Sequence, residues 1–209
     1  MSIVFWTLAA AAGGYLLGAV PFGWLVARAH GVDILKVGSG NPGATNVKRE
    51  VGKGAGNLVF LLDFLKGALA AGWPLLAGLP PEQLLTVQAV GLCAAILGHS
   101  FSIFLRGKGG KGVATTMGGL LALMPWVVLI GVGVWLVVFY ATRYVSLASI
   151  CFALVLPAGN FFLSDSGVLT AIGAGLAVLI IFRHRSNIQR LLNGTEHRFV
   201  RKPKNGAGI

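Results

Sequence analysis

Acidic side chains are scarce in this 209-residue chain: six Asp and Glu stand against 17 Lys and Arg, a formal charge of +11. Metal-assisted phosphotransfer sites need several carboxylates. So few acids count against that class, and no metal-ligand cluster or bound metal is indicated. Cysteine is nearly absent. Cys93 and Cys151 both fall in apolar runs, where a thiol behaves as a small hydrophobe, so neither a disulfide framework nor a metal site is expected. Charge of both signs together reaches only 11%, against about 25% in a soluble domain, which excludes an ordinary soluble protein. No segment looks like a separate soluble module, and no internal repeat of useful length is visible. A basic n-region is also missing ahead of the first apolar stretch, which is read as a retained span and not a cleaved signal.

What is abundant is apolar surface and glycine: 56% of residues are hydrophobic and 31 are glycine, without the period of collagen. Small residues let membrane helices approach closely. The basic excess would suggest nucleic acid in a soluble protein. Here the Lys and Arg flank apolar runs, the signature of membrane topology, so no nucleic-acid partner is expected and lipid is.

A span needs roughly 17–25 predominantly apolar residues. Candidates are Ile3–Ala27, Asn57–Ala77, Leu84–Leu97, Tyr144–Leu163 and Gly167–Phe182. The stretch Val113–Ala141 is long for one helix and short for two, with Pro125 near its middle. Charge parity decides: with Arg28–Lys53 and Arg106–Gly112 inside, two short helices broken near Pro125 place every Lys and Arg except Lys66 in the cytoplasm. Glu82 and Asp165 then lie outside. The expectation is an all-α integral membrane protein with seven transmembrane helices, N-terminus outside and C-terminus cytoplasmic. Residues 1–199 form one domain, and 200–209 form a basic disordered tail.

Three polar constellations fall on that cytoplasmic side. The first is GSGNPGATN at 38–46, followed by Arg49. Gly38 and Gly40 permit tight turns that bring N–H groups to a ligand; Ser39, Asn41, Thr45 and Asn46 add hydrogen-bonding groups, and Arg49 a fork suited to phosphate oxygens. The second is GKGGKGVAT at 107–115, opening a helix. Lys108 and Lys111 bring charge, Gly109, Gly110 and Gly112 permit close approach, and a helix N-terminus favours an anion. Both loops match G-x-G-x-x-G, yet neither follows a strand in a βαβ unit, and neither lysine is followed by Ser or Thr as a Walker motif requires. The third is RHRSNIQRLLNGTEHRF at 183–199. His184 and Asn187 share a helical face with Arg183 and Arg190 nearby, while Ile188, Leu191 and Leu192 offer an apolar side to the membrane surface; Gly194 is a helix stop. A basic membrane anchor explains the arginines but not His184 and Asn187.

Asp63 and Lys66 lie three apart inside the second span. They are read evenly as an ion pair fixing helix packing or as the lining of a polar site. His99, near the second loop, is either a structural histidine or part of the site. A transporter for a phosphorylated anion is the chief rival; it calls for inverted repeats and a midplane site, whereas these motifs gather at one face.

The GSGNPGATN…R loop, the GH…F…GGKGVAT segment and the HR.NI.RL..G.E segment, in that order over about Gly13–Phe199, closely resemble the bacterial acyl-phosphate:glycerol-3-phosphate acyltransferase family (PlsY). The resemblance implies transfer of a fatty acyl group from acyl-phosphate to the 1-hydroxyl of glycerol 3-phosphate. The products are lysophosphatidate and inorganic phosphate, the first step of phospholipid synthesis, made at a bacterial plasma membrane without a cofactor. It assigns Ser39, Arg49, Lys111, His184 and Asn187 as catalytic, with the remaining loop residues named above as phosphate or substrate contacts. The HxxxxD motif of acyl-CoA-type enzymes is missing: Phe104 and Gln189 stand five residues after His99 and His184. Oligomeric state is left open, with a monomer sufficient.

Overall fold

The structure, a computed structural model, describes residues 2–164 and 166–199, in which the regular structure is helical throughout. The tail expected at 200–209 and the outside position of Asp165 lie outside the described residues. Among the described residues ten α-helices follow one another: α1 (Ile3–Ala19), α2 (Phe22–Ala29), α3 (Ala44–Glu50), α4 (Lys53–Gly72), α5 (Pro81–Ser100), α6 (Val113–Leu123), α7 (Pro125–Thr142), α8 (Val145–Leu163), α9 (Gly167–Arg183) and α10 (Arg185–Leu192).

Proline and positive-φ residues set several breaks. Pro21 has no N–H and forces its predecessor out of the helical region, so the first expected span divides at Val20 (φ −57°, ψ 116°) into α1 and α2. Pro125 divides Val113–Ala141 as expected, but unevenly: α6 has 11 residues and α7 has 18. Proline at the first helical position is well tolerated, so it starts α7 while stopping α6. Arg143, in the left-handed region at φ 64°, separates α7 from α8.

Among the described residues five helical runs are long and apolar enough to cross a bilayer: Ile3–Ala29, Lys53–Leu76, Pro81–Leu105, Pro125–Thr142 and Val145–Leu163. The pair α9–α10, bent by 60°, makes a sixth if it counts as one span, and α6 is apolar but shorter than a span. The protein is thus an integral, multi-pass membrane protein with an all-helical fold.

Small residues bring the helices together. α1 lies on α5 and α4 on α6, and at each seam a glycine is required: a Cβ on Gly18 would fall 2.1 Å from the Ala95 carbonyl oxygen, and one on Gly118 would fall 1.9 Å from that of Phe64. The main core joins Leu92 and Ile96 of α5, Met117 and Leu120 of α6, and Phe152 and Leu156 of α8. Large apolar side chains such as Leu8, Val137, Phe161 and Val178 face outward, as a lipid-facing surface requires.

Candidate active site

Two asparagines fold the first loop. Asn46 is buried; its Oδ1 accepts from the Ser39 N–H at 3.0 Å, and its Nδ2 donates to Val37 O at 3.1 Å and Ile34 O at 3.4 Å. Asn41 Oδ1 accepts from the Gly43 N–H at 2.9 Å, and its Nδ2 crosses to Gly109 O of the second loop at 3.4 Å. Gly38 and Gly40 take left-handed conformations at φ 56° and 66°, which an L side chain would strain.

Arg183 pins the second loop, donating to Gly109 O at 2.9 Å and to Gly110 O at 2.9 and 3.2 Å. Gly112, at φ 82°, turns the chain into α6. Between these points Lys111 extends its ammonium to Asn187 Oδ1 on α10. Asn187 in turn donates to Glu196 Oε1 at 2.7 Å, which also accepts from Ser146 Oγ at 2.8 Å, while Glu196 Oε2 accepts from Arg190 Nε at 2.8 Å. Arg49 reaches the same C-terminal segment: it donates to His197 O at 3.2 Å and lies 4.9 Å from the centre of the Phe199 ring.

The electrostatics follow from this packing. Burial pushes Lys111 down to about 8; Glu196 pulls it back up, while Arg190, Arg49 and Arg183 push it further down. Burial alone would raise the Glu196 carboxyl, but hydrogen bonds from Asn187, Ser146 and Arg190 outweigh it and hold it below its ordinary value. His184, just past the end of α9, is lowered to about 4, first by burial and then by the Lys111 charge. Its ring is therefore neutral at pH 7. With its Nδ1 bonded to Ile180 O at 2.8 Å, the proton sits on Nδ1 and Nε2 is the bare nitrogen.

These groups line one end of a cavity of about 500 Å³. Ser39, Asn41, Thr45, Arg49, Lys111, His184 and Asn187 form its polar end, with Asp63 and His99 in the wall. The cavity continues between α4, α6, α7 and α8 as an apolar groove past Phe64, Met117, Leu121, Val128, Val132 and Leu136. A polar end with surplus positive charge leading into an apolar slot suits a molecule with an anionic head and a hydrocarbon tail.

Residues 8–194 match the family model described as glycerol-3-phosphate acyltransferase. The chain belongs to that family. Among its relatives are glycerol-3-phosphate acyltransferases of Rubrobacter xylanophilus, 48% identical with 89% of this chain and 92% of that one covered, and of Aquifex aeolicus, 45% identical with 88% and 95% covered. Its fold matches the crystal structure of PlsY (YgiH), an integral membrane glycerol 3-phosphate acyltransferase, in the glycerol 3-phosphate form: TM-score 0.85, 42% identity, 96% of each chain covered. The lysophosphatidic acid form of PlsY matches with TM-score 0.84 at 42% identity over 93% and 95% of the two chains.

The acyltransferase gathers most of the residues singled out in its sequence, but not all of them in the expected place. Lys108 is exposed and lies off the cavity, its carbonyl accepting from the Ser102 N–H at 3.2 Å. Gly38 and Gly40 shape the loop without lining the cavity, and so do Gly109 and Gly110. The Gly110 N–H, expected to face an anion, donates instead to His99 O at 3.0 Å. Lys66 points away, pairing with Asp63 at 2.9 Å and donating to Val20 O at 3.0 Å. Sequence reasoning missed Glu196, the carboxylate that organises Asn187 and Arg190. One clue was present: Glu196 is the only acid in an otherwise basic segment. The groove residues gave no clue, because they look like any other apolar helix faces.

Proposed function

We propose that the donor is an acyl-phosphate, whose acyl group passes directly to the 1-hydroxyl of glycerol 3-phosphate at the polar end of the cavity. The hydroxyl oxygen attacks the acyl carbonyl carbon, the bond from that carbon to the phosphate oxygen breaks, and the departing phosphate takes the hydroxyl proton. The products are 1-acylglycerol 3-phosphate (lysophosphatidate) and inorganic phosphate. The observation that carries this reading is the cavity itself, whose cationic end joins an apolar groove within one enclosure.

Both substrates are anionic, and the leaving phosphate gains charge as the bond breaks. Fixed donors aimed at that charge are the main catalytic contribution. Lys111 and Arg49 supply the positive charge, Asn187 and Glu196 hold Lys111 in place, and Ser39 and His184 contribute uncharged hydrogen-bonding groups to the same end. The groove along α6 and α7 holds the acyl chain.

In this reading residues 1–199 work as one domain and cross a bacterial plasma membrane seven times. The thin α6 counts as a span beside α7, the N-terminus is outside, and the active site opens to the cytoplasm. The positive-inside distribution of Lys and Arg supports that orientation. No cofactor takes part.

The test is product formation by purified enzyme from glycerol 3-phosphate with either acyl-phosphate or acyl-CoA. Lysophosphatidate is expected from acyl-phosphate alone. Product from acyl-CoA, or an acyl adduct trapped on Ser39 during turnover, overturns the direct acyl-phosphate route.

A further inference from the structure

Asp63 and Lys66 already neutralise one another inside the bundle, so the pair has no electrostatic need of a third member. Yet His99, in the last turn of α5, brings Nδ1 to 3.5 Å from the same Asp63 oxygen. Lys66 is tied down on its other side by Val20 O, a carbonyl at the break between α1 and α2 that also accepts from the Phe22 N–H. Asp63 thus stands on a fixed base and presents its carboxylate to the imidazole.

The far side of that ring bears on the second loop. A Cβ on Gly110 would fall 2.1 Å from His99 Nε2, so the ring packs directly on the Gly110 backbone. The Gly110 N–H donates to His99 O at 3.0 Å, and on the opposite side the Gly110 carbonyl accepts from Arg183. The residue just before Lys111 is therefore gripped at its N–H and Cα by His99 and at its carbonyl by Arg183. We propose that Asp63 and His99 are positioning residues for acyl transfer: Asp63 orients the His99 ring, and the ring seats Gly110 so that Lys111 reaches the cavity. The proposal rests on the reading of the cavity given above.

A displacement of about 1 Å in a catalytic group costs on the order of a hundredfold in rate, so a loop seated by one ring is sensitive to its loss. Four enzymes test the idea in detergent with acyl-phosphate and glycerol 3-phosphate: wild type, His99→Ala, Gly110→Ala and the double variant, each with its thermal midpoint measured. His99→Ala is expected to lower kcat/KM at least about tenfold with a midpoint close to wild type. His99→Asn, whose amide keeps a donor for Asp63, recovers part of that loss. Gly110→Ala alone suffers a comparable loss, because its methyl group collides with the imidazole.

In the double variant the methyl group occupies space the ring has vacated, so its loss is expected to fall well short of the product of the two single losses. If His99→Ala cannot be purified, His99→Asn takes its place in the same cycle. Wild-type kcat/KM in the His99 variants, or losses that simply multiply, overturns the positioning role. Lys111→Ala, run alongside, separates the two readings: full activity there overturns the cavity assignment itself.

Discussion

Two lysines, one buried within α4 and one half-buried in the loop that opens α6, are used in opposite ways. Lys66, in α4, has a carboxylate at 2.9 Å and a carbonyl at 3.0 Å. Its charge is neutralised and its donors are directed inward. Lys111, just before α6, meets only the neutral Asn187 amide, and among the described residues no carboxylate pairs with it. Glu196, which would neutralise it, is occupied by Asn187, Ser146 and Arg190. A buried cation with a full set of partners is a structural element; a half-buried one held by a neutral group keeps its charge for a ligand.

The largest effect expected is the contrast between removing the two ammonium groups. Lys111→Ala deletes a donor aimed at the transferring phosphate and is expected to cut kcat by on the order of 10²–10³-fold, with thermal stability unchanged or improved. Lys66→Met leaves Asp63 buried without its ion partner and is expected to cost about 3–5 kcal/mol of stability, while the enzyme that remains folded loses turnover only through a less firmly held Asp63 and His99, well short of the Lys111→Ala loss. Thermal unfolding and saturating-substrate rates on both variants check this. Reversed phenotypes break the comparison.

A smaller effect follows from pH. Catalysis needs the charged form of Lys111, and burial holds its pKa at about 8. That charge is present below this value and is lost as pH rises through it, so kcat/KM, which reports the free enzyme, is expected to fall above about pH 8. A bound phosphate stabilises the ammonium, so kcat is expected to hold to higher pH than kcat/KM. Coincident alkaline limbs for the two constants count against Lys111 as the titrating group.

The same contrast shows what a sequence makes legible. Lys111 and Lys66 could be told apart by company alone, one among glycines in a loop and the other three residues from an acid on a helix. The apolar spans were readable from hydropathy and the break at Pro125 from proline chemistry, whereas α3, which carries Thr45, Asn46 and Arg49, was read as loop. The uneven 11- and 18-residue division was not, since hydropathy does not distinguish a short buried helix from a longer lipid-facing one. Motif order singled out Ser39, Arg49, Lys111, His184 and Asn187 and ranked Lys111 above Lys108, but spacing alone gave no physical reason for that ranking. The folded loop supplies that reason, because Gly112 and Arg183 set which lysine turns inward. Asn41 and Asn46 looked like ligands and also serve as scaffold, a distinction that depends on hydrogen bonds to carbonyls far along the chain.

The smallest effect lies at the apolar end. On α6, Val113, Met117 and Leu121 line the cavity at four-residue intervals, and on α7 Leu136, Val132 and Val128 do the same in the reverse direction. Four residues of helix rise about 6 Å, so the groove has three tiers over roughly 12 Å. A chain that ends at the first tier does not meet the second. Val132→Phe narrows the second tier, so short-chain acyl-phosphates are expected to keep near wild-type kcat/KM while long-chain ones fall about tenfold. That is the loss expected if about two methylenes, at roughly 0.8 kcal/mol each, are forced out of the groove. The measurement is the ratio of kcat/KM values for a long and a short donor in wild type and variant. An equal loss for both donors would mean that the acyl chain takes another path, and that the groove between α6 and α7 only packs the fold.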